Sequence, residues 1–404
     1  MALTAPQTLF LVLGGAMLAG YAAHRAFQRW RISDISILLG IGLLVGPIFG
    51  LVDPSILSSA IPFLSPIALM IVLFEGGLDL SWEDVRDHAG RALVMTIICW
   101  TLTAGLVAVA AHAALGLSWQ LGLLFGACVA ATGMLVVIPL LQALRAPPHA
   151  RVVLTVETAL GDLLSAVVVT AASGMIVLHA SAWDGALLFG RKFLIGAALG
   201  IVAGLVWSRV LHGLTADKHG WPVTLGALLL SYVAAELLGG SGFLMALAFG
   251  LFVGNAKSLV KLGGLRALAP LTQTMRWQQG EAIFVLRSLY FVFLGISVKR
   301  SLLTPASALA AAALLAAIVA ARVIAVMLVA RKDRGLLVSM MPRGRATAVI
   351  ASLPFALGVP GTEGFLMDAF LVIVAADLAT TVALMVWQRR KVPAPAADIS
   401  LVPH

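Results

Sequence analysis

The stretch Leu154–Val169, LTVETALGDLLSAVVV, sets two carboxylates, Glu157 and Asp162, inside a run that is otherwise apolar. On a helix in water such charges are ordinary. Inside a bilayer each is costly and marks either a packing partner or an ion pathway. What surrounds the stretch therefore decides its meaning. Of the 404 residues, 61% are hydrophobic and 11% charged, whereas a soluble domain carries about 25% charged residues. Apolar runs of about 20 residues, the length a bilayer core requires, recur along nearly the whole chain.

Thirteen spans fit the pattern, at about 8–29, 33–51, 61–80, 90–115, 119–144, 152–179, 185–208, 221–239, 242–256, 277–298, 302–330, 336–358 and 365–388. With the N-terminus outside, every inner connection carries Lys or Arg, from Arg25, Arg29 and Arg31 in the first to Arg389, Arg390 and Lys391 after the last. The outer connections hold Arg191, Lys192, Lys299 and Arg300. This asymmetry follows the positive-inside rule, and one span more or less would scramble it. The expected fold is an all-α polytopic membrane protein of about 13 transmembrane helices, N-terminus outside and C-terminus inside. The net charge of +9 is then an orientation signal facing an anionic leaflet. The partner it implies is the lipid bilayer, with no nucleic acid.

The first run lacks a basic flank and a small-residue cleavage signal, and reads as a retained helix. A single transmembrane transporter domain is expected over 1–390, followed by a short inner tail, 391–404, without a regulatory domain. Cys99 and Cys128 lie inside apolar runs and read as small buried hydrophobes, with no disulfide framework and no metal spacing. Glycines at four-residue intervals (Gly42, Gly46 and Gly50; Gly196, Gly200 and Gly204) predict close helix packing. Two spans look interrupted. Thr132, Gly133 and Pro139 weaken the fifth, and Pro342, Gly344 and Pro354 the twelfth. They lie seven spans apart, as two repeats of about 8–179 and 221–388 would place them, and an odd separation inverts one repeat relative to the other. Inverted repeats with matched broken helices are a transporter signature, with the substrate site where the broken helices cross.

The ionisable residues inside spans are Glu75, Glu157, Asp162, Glu236, Arg287, Arg322, Arg343, Arg345 and Asp377. Five residues of helix turn through roughly 500°, which sets Glu157 and Asp162 about 140° apart; they are no shared-proton dyad. A carboxylate pinned by a guanidinium stays ionised and is architectural. One taken out of water without a cation favours its neutral form, and can then trade a proton for a small cation near neutral pH. The plain alternative is that Asp162 bonds a hydroxyl such as Thr158 or Ser165 and only joins helices. Glu75 either lines an inner funnel or snorkels. Glu236 and Asp377 could each pair with Arg287 or Arg322, and Arg345 could cover the inner mouth. No metal-ligand spacing or nucleophile elbow points to an enzyme.

Four further motifs carry a resemblance: LFEGGLDL in the third span, LLGIGLLVGP in the second, FVFLGI in the tenth and PRG in the twelfth. With ETALGDLL they resemble the monovalent cation:proton antiporter superfamily, most nearly its electroneutral NhaP-type sodium/proton exchangers, over essentially the whole chain. The resemblance implies an NhaA/NhaP-like fold with two broken crossing helices and a homodimer. It also implies a prokaryotic inner-membrane location and exchange of protons for Na⁺, K⁺ or Li⁺ without a cofactor. By the match Asp162 is the cation- and proton-binding aspartate, with Thr132 at the crossover, so these two would hold the metal ion. Gly133, Gly161 and Ser165 complete the site. Glu157 is the glutamate that pairs with Arg343, while Glu75, Arg287 and Glu236 are accessory or funnel charges. Two departures stand out. The family's Asp after the threonine is Gly133, and its Asn before the aspartate is Gly161. A single exchanging carboxylate suggests one cation for one proton, while Arg287 matches a cation that faces the site in some electrogenic relatives. A sodium-coupled organic solute transporter on a related fold is the alternative, but TGMLVV and GDLLSAVVV look too apolar for it.

Overall fold

A computed structural model of the chain describes residues 5–30, 34–52, 61–79, 82–133, 137, 141, 146–178, 182–214, 219–263, 268–297, 305–330 and 332–391. Pro139, Lys299, Arg300, the side chain of Arg345 and residues 392–404 lie outside what it describes. The described residues are all-helical. The helices are α1 (Ala5–Trp30), α2 (Asp34–Leu43), α3 (Ile61–Asp79), α4 (Trp82–Leu115) and α5 (Trp119–Val129). Then come α6 (Pro148–Leu178), α7 (Ala182–Leu214), α8 (Gly220–Leu237), α9 (Gly242–Gly254) and α10 (Ala256–Gly263). The last are α11 (Gln273–Ile296), α12 (Pro305–Val329), α13 (Arg334–Ser339), α14 (Arg345–Ala356) and α15 (Phe365–Lys391). Among the described residues seven helices are long and apolar enough to cross a membrane, and five shorter apolar ones accompany them. The chain is an integral membrane protein. The short α10 follows α9 where the sequence had shown only a charged connection.

The helices pack as two groups. One contains α1, α2, α3, α7, α8, α9 and α11; the other contains α4, α5, α6, α12, α13, α14 and α15. Each group draws helices from both halves of the chain. The glycine stripes explain how the first group closes. Gly196, Gly200 and Gly204 of α7 lie directly on the backbone of Ser241, Met245 and Phe249 at the start of and along α9. Gly42 of α2 and Gly46 of the wide turn that follows it (Leu44–Ile48) lie on α11 at Val292 and Ile296. Such contact lets backbones approach where lipid supplies no hydrophobic drive between helices. Gly50 departs from the stripe: it faces open space at φ +63°, ending the turn rather than packing. Between the groups, α14 packs on α3. The Tyr290 hydroxyl of α11 shares a 2.7 Å hydrogen bond with the Ser352 hydroxyl of α14.

Both interruptions are real and they meet. α5 stops at Val129, and Ala130–Gly133 leave the helix, where Thr132 and Gly133 are poor helix formers. Met340–Gly344 separate α13 from α14. Pro342 bars its predecessor from helical geometry, and Gly344 starts α14 in an extended conformation (φ −130°, ψ −159°). Pro354, expected to weaken the twelfth span, instead lies inside α14. Proline has no N–H to offer the carbonyl four residues back, and that carbonyl, Ile350, accepts from the Cys128 thiol of α5 at 3.7 Å.

Candidate cation site

At the crossing, two unwound peptides lie against each other. The Gly133 N–H donates to the Pro342 carbonyl at 3.0 Å. A Cβ on Gly133 would sit 2.8 Å from the Gly344 Cα, and one on Gly344 would sit 2.7 Å from the Gly133 Cα. Glycine at both positions is what permits this approach. The Gly133 departure from the family pattern thus coincides with a close backbone contact at the crossing.

Breaking a helix exposes carbonyls at its C-terminal end, where the helix dipole is negative. Two buried arginines answer the two broken ends. Arg343 donates from Nη1 to the carbonyls of Ala130 and Ala131, both at 2.9 Å, and the Thr347 hydroxyl adds a 3.0 Å bond to Ala131. Arg322 of α12 donates from Nε to the Leu337 carbonyl of α13 at 2.8 Å. Its Nη1 meets Glu157 in a direct ion pair and the Cys99 sulfur at 3.4 Å. Glu157 and Arg322 are each 3% exposed or less, so the pair ties α4, α6, α12 and α13 together in the protein interior.

The structure therefore corrects the partner of Glu157: it is Arg322, not Arg343. The guanidinium of Arg343 is occupied by the α5 carbonyls. The motif match had no means of telling which of two arginines reaches the glutamate. Glu236 is corrected too. Its carboxylate accepts from the Gly242 N–H at 2.8 Å and lies 3.9 Å from Lys192. It caps α9 and joins α7 to α8, with Lys192 rather than Arg287 or Arg322 as its cation. Asp377 of α15 accepts from the Arg343 backbone N–H at 3.2 Å. Glu75 is half-buried on α3. Arg287 of α11 lines a small cleft with Ala68, Ile71, Val72 and Val349, at the seam between the two groups.

Asp162 sits on α6 beside this crossing and is 7% exposed. Its Oδ1 is buried and makes no hydrogen bond among the described residues. Neither hydroxyl considered as its partner donates to Oδ1. Thr158 donates to the Thr155 carbonyl at 3.0 Å, and Ser165 accepts from the Trp100 indole at 2.8 Å. Thr132 is buried at the end of the unwound segment. Its hydroxyl lies 3.6 Å from where a Gly161 Cβ would stand, so Thr132 and Gly161 face each other across the crossing. The structure thus gathers Thr132, Gly133, Gly161 and Asp162, sets Ser165 one turn further along α6, and leaves Glu157 in a separate closed pair. Sequence reasoning passed over Trp100 and Thr347. Both are ordinary residues in an apolar span, and no local pattern marks them.

The family model described as sodium/hydrogen exchanger, transmembrane, matches residues 13–388. The chain belongs to the sodium/hydrogen exchanger family. Among its relatives in that family is the K⁺/H⁺ antiporter NhaP of Alkalimonas amylolytica, 27% identical over 375 residues. That alignment covers 90% of this chain and 63% of the relative, so the chain spans under two thirds of that protein's length. The probable Na⁺/H⁺ antiporter 2 of Methanocaldococcus jannaschii is 27% identical over 304 residues, covering 72% of this chain and 69% of that one. The fold matches the sodium proton antiporter MjNhaP1 from M. jannaschii at pH 8 with a TM-score of 0.80 at 19% identity, over 94% of this chain and 99% of that chain. The sodium/hydrogen exchanger family is a transporter family and not an enzyme family.

Proposed function

We propose that this chain is a secondary active antiporter that exchanges protons for a monovalent cation, Na⁺ or K⁺, with Asp162 as the shared site. One observation carries the reading. Asp162 is a buried carboxylate beside the crossing whose Oδ1 is left without a hydrogen-bond partner, while Glu157 and Arg343 are both committed to architecture. A proton and a hard cation would compete for the one carboxylate, and that competition couples their movements. Thr132 would add an oxygen ligand, Gly133 and Gly161 would leave room, and Ser165, steadied by Trp100, would support the α6 side. One carboxylate implies one cation for one proton. The helix group carrying the crossing would move against the other group, opening the site to each side in turn. A homodimer in a prokaryotic inner membrane, thirteen spans and an outside N-terminus belong to the same reading. Exchange activity in the named relatives supports it over sodium-coupled uptake of an organic solute.

The test is proton flux in sealed proteoliposomes holding a pH dye, with Na⁺, K⁺ or Li⁺ added against an imposed pH gradient. Wild type should dissipate the gradient on adding Na⁺ or K⁺, and Asp162→Asn should not. Exchange persisting in Asp162→Asn would make the aspartate structural. No response of wild type to any of the three cations would overturn the function.

A further inference from the structure

The unwound Met340–Gly344 peptide creates a demand that the family motifs do not address. Its backbone polar groups have left the helix ladder in a membrane interior, where an unsatisfied group is costly. The Pro342 carbonyl is satisfied by Gly133. The Gly344 N–H reaches the Thr347 hydroxyl at a long 3.4 Å. Between them, the Arg343 N–H is satisfied from another helix, by Oδ1 of Asp377 at 3.2 Å. Asp377 is itself buried, 9% exposed on α15, and its carboxylate approaches just before the N-terminus of α14, where the helix dipole favours negative charge.

The same residue whose backbone Asp377 holds sends its side chain to the carbonyls of Ala130 and Ala131, two residues and one residue before Thr132. The chain of contact runs from the Asp377 carboxylate to the Arg343 peptide, along the Arg343 side chain to the end of α5, and so to Thr132 and Gly133. We infer that Asp377 is a positioning residue for the cation site, holding the Arg343 peptide so that Arg343 and Gly344 fix the crossing at which Thr132 faces Gly161, next to Asp162. It does not touch the cation. What it provides is a hydrogen-bond acceptor at a fixed place. This inference rests on the antiporter reading above.

The experiment compares wild type, Asp377→Asn and Asp377→Leu in the proteoliposome assay, reading cation half-saturation and maximal rate separately. Asp377→Asn keeps an oxygen in the same place; Asp377→Leu keeps the bulk and removes the acceptor. Half-saturation should rise at least five-fold in Asp377→Leu, with maximal rate within two-fold of wild type, and return to within two-fold of wild type in Asp377→Asn. Should Asp377→Leu fail to reach the membrane intact, Asp377→Ala removes the acceptor without it and carries the same comparison. Unchanged half-saturation on losing the acceptor overturns the inference. So does a defect as large in Asp377→Asn as in Asp377→Leu, which would assign the role to charge. Absence of exchange in wild type would instead sink the antiporter reading.

Discussion

Gly133 and Gly344 touch backbone to backbone, each standing where a side chain on the other would have to go. Neither neighbour is the movable end of a side chain, so a methyl group at either position must push two unwound peptides apart. Forcing extra volume into a packed interior costs about 1–3 kcal/mol. Here the displacement falls on the crossing itself. Gly133→Ala and Gly344→Ala should each lower the rate of cation-triggered proton flux by at least about ten-fold, the equivalent of roughly 1.4 kcal/mol, while the protein still inserts and purifies. Near wild-type flux in either variant would show that the crossing is slack.

Gly161 should behave differently. A Cβ there would lie 3.6 Å from the Thr132 hydroxyl, an ordinary contact. Gly161→Asn, which restores the residue the family pattern carries, should therefore be tolerated, with flux within a few-fold of wild type and a changed cation half-saturation. A loss as severe as that of Gly133→Ala would mean that Gly161 is needed for close packing.

The partner of Glu157 can be settled by double-mutant cycles on thermal stability in detergent. Removing one member of a buried ion pair strands the other charge and costs about 3–5 kcal/mol. Glu157→Gln should therefore destabilise strongly, and in an Arg322→Met background the same change should cost far less, giving a coupling of at least about 1 kcal/mol. In an Arg343→Met background Glu157→Gln should cost nearly its full amount. Equal coupling to both arginines would contradict the pairing seen here.

The contrast between these residues shows what the sequence alone could and could not say. Apolar run length located most of the described membrane helices, because the bilayer constrains every span in the same way, although α4 starts at Trp82 rather than 90 and α7 runs on to Leu214 rather than 208. The two interruptions were visible because proline and glycine act locally, and Asp162 stood out because a mid-span carboxylate is costly wherever it points. Which arginine meets Glu157 depends on three-dimensional reach from α12 against reach from the α13–α14 break, and spacing along the chain carries no trace of that. Trp100 and Thr347 escape for the same reason, since their partners, the Ser165 hydroxyl and the Ala131 carbonyl, lie on distant segments; Asp377 was visible as an intramembrane carboxylate, but its contact with the Arg343 N–H was not. Pro354 misled because its local effect is real but is answered by a thiol 226 positions away, as the separation of Cys128 and Pro354 in the chain shows.

That answer can be tested directly. Pro354 leaves the Ile350 carbonyl without its helical donor, and Cys128 supplies the replacement. Cys128 is fully buried between α5 and α14. An unmet buried acceptor costs about 1–3 kcal/mol, so Cys128→Ala should lower thermal stability through that loss in addition to the small cavity. Pro354→Ala restores an N–H at the position that normally serves Ile350. If the thiol's role is to satisfy that carbonyl, Cys128→Ala should cost measurably less in the Pro354→Ala background than alone. A thermal-shift cycle of the four proteins reads this as a coupling, and strict additivity would show that Cys128 contributes packing alone.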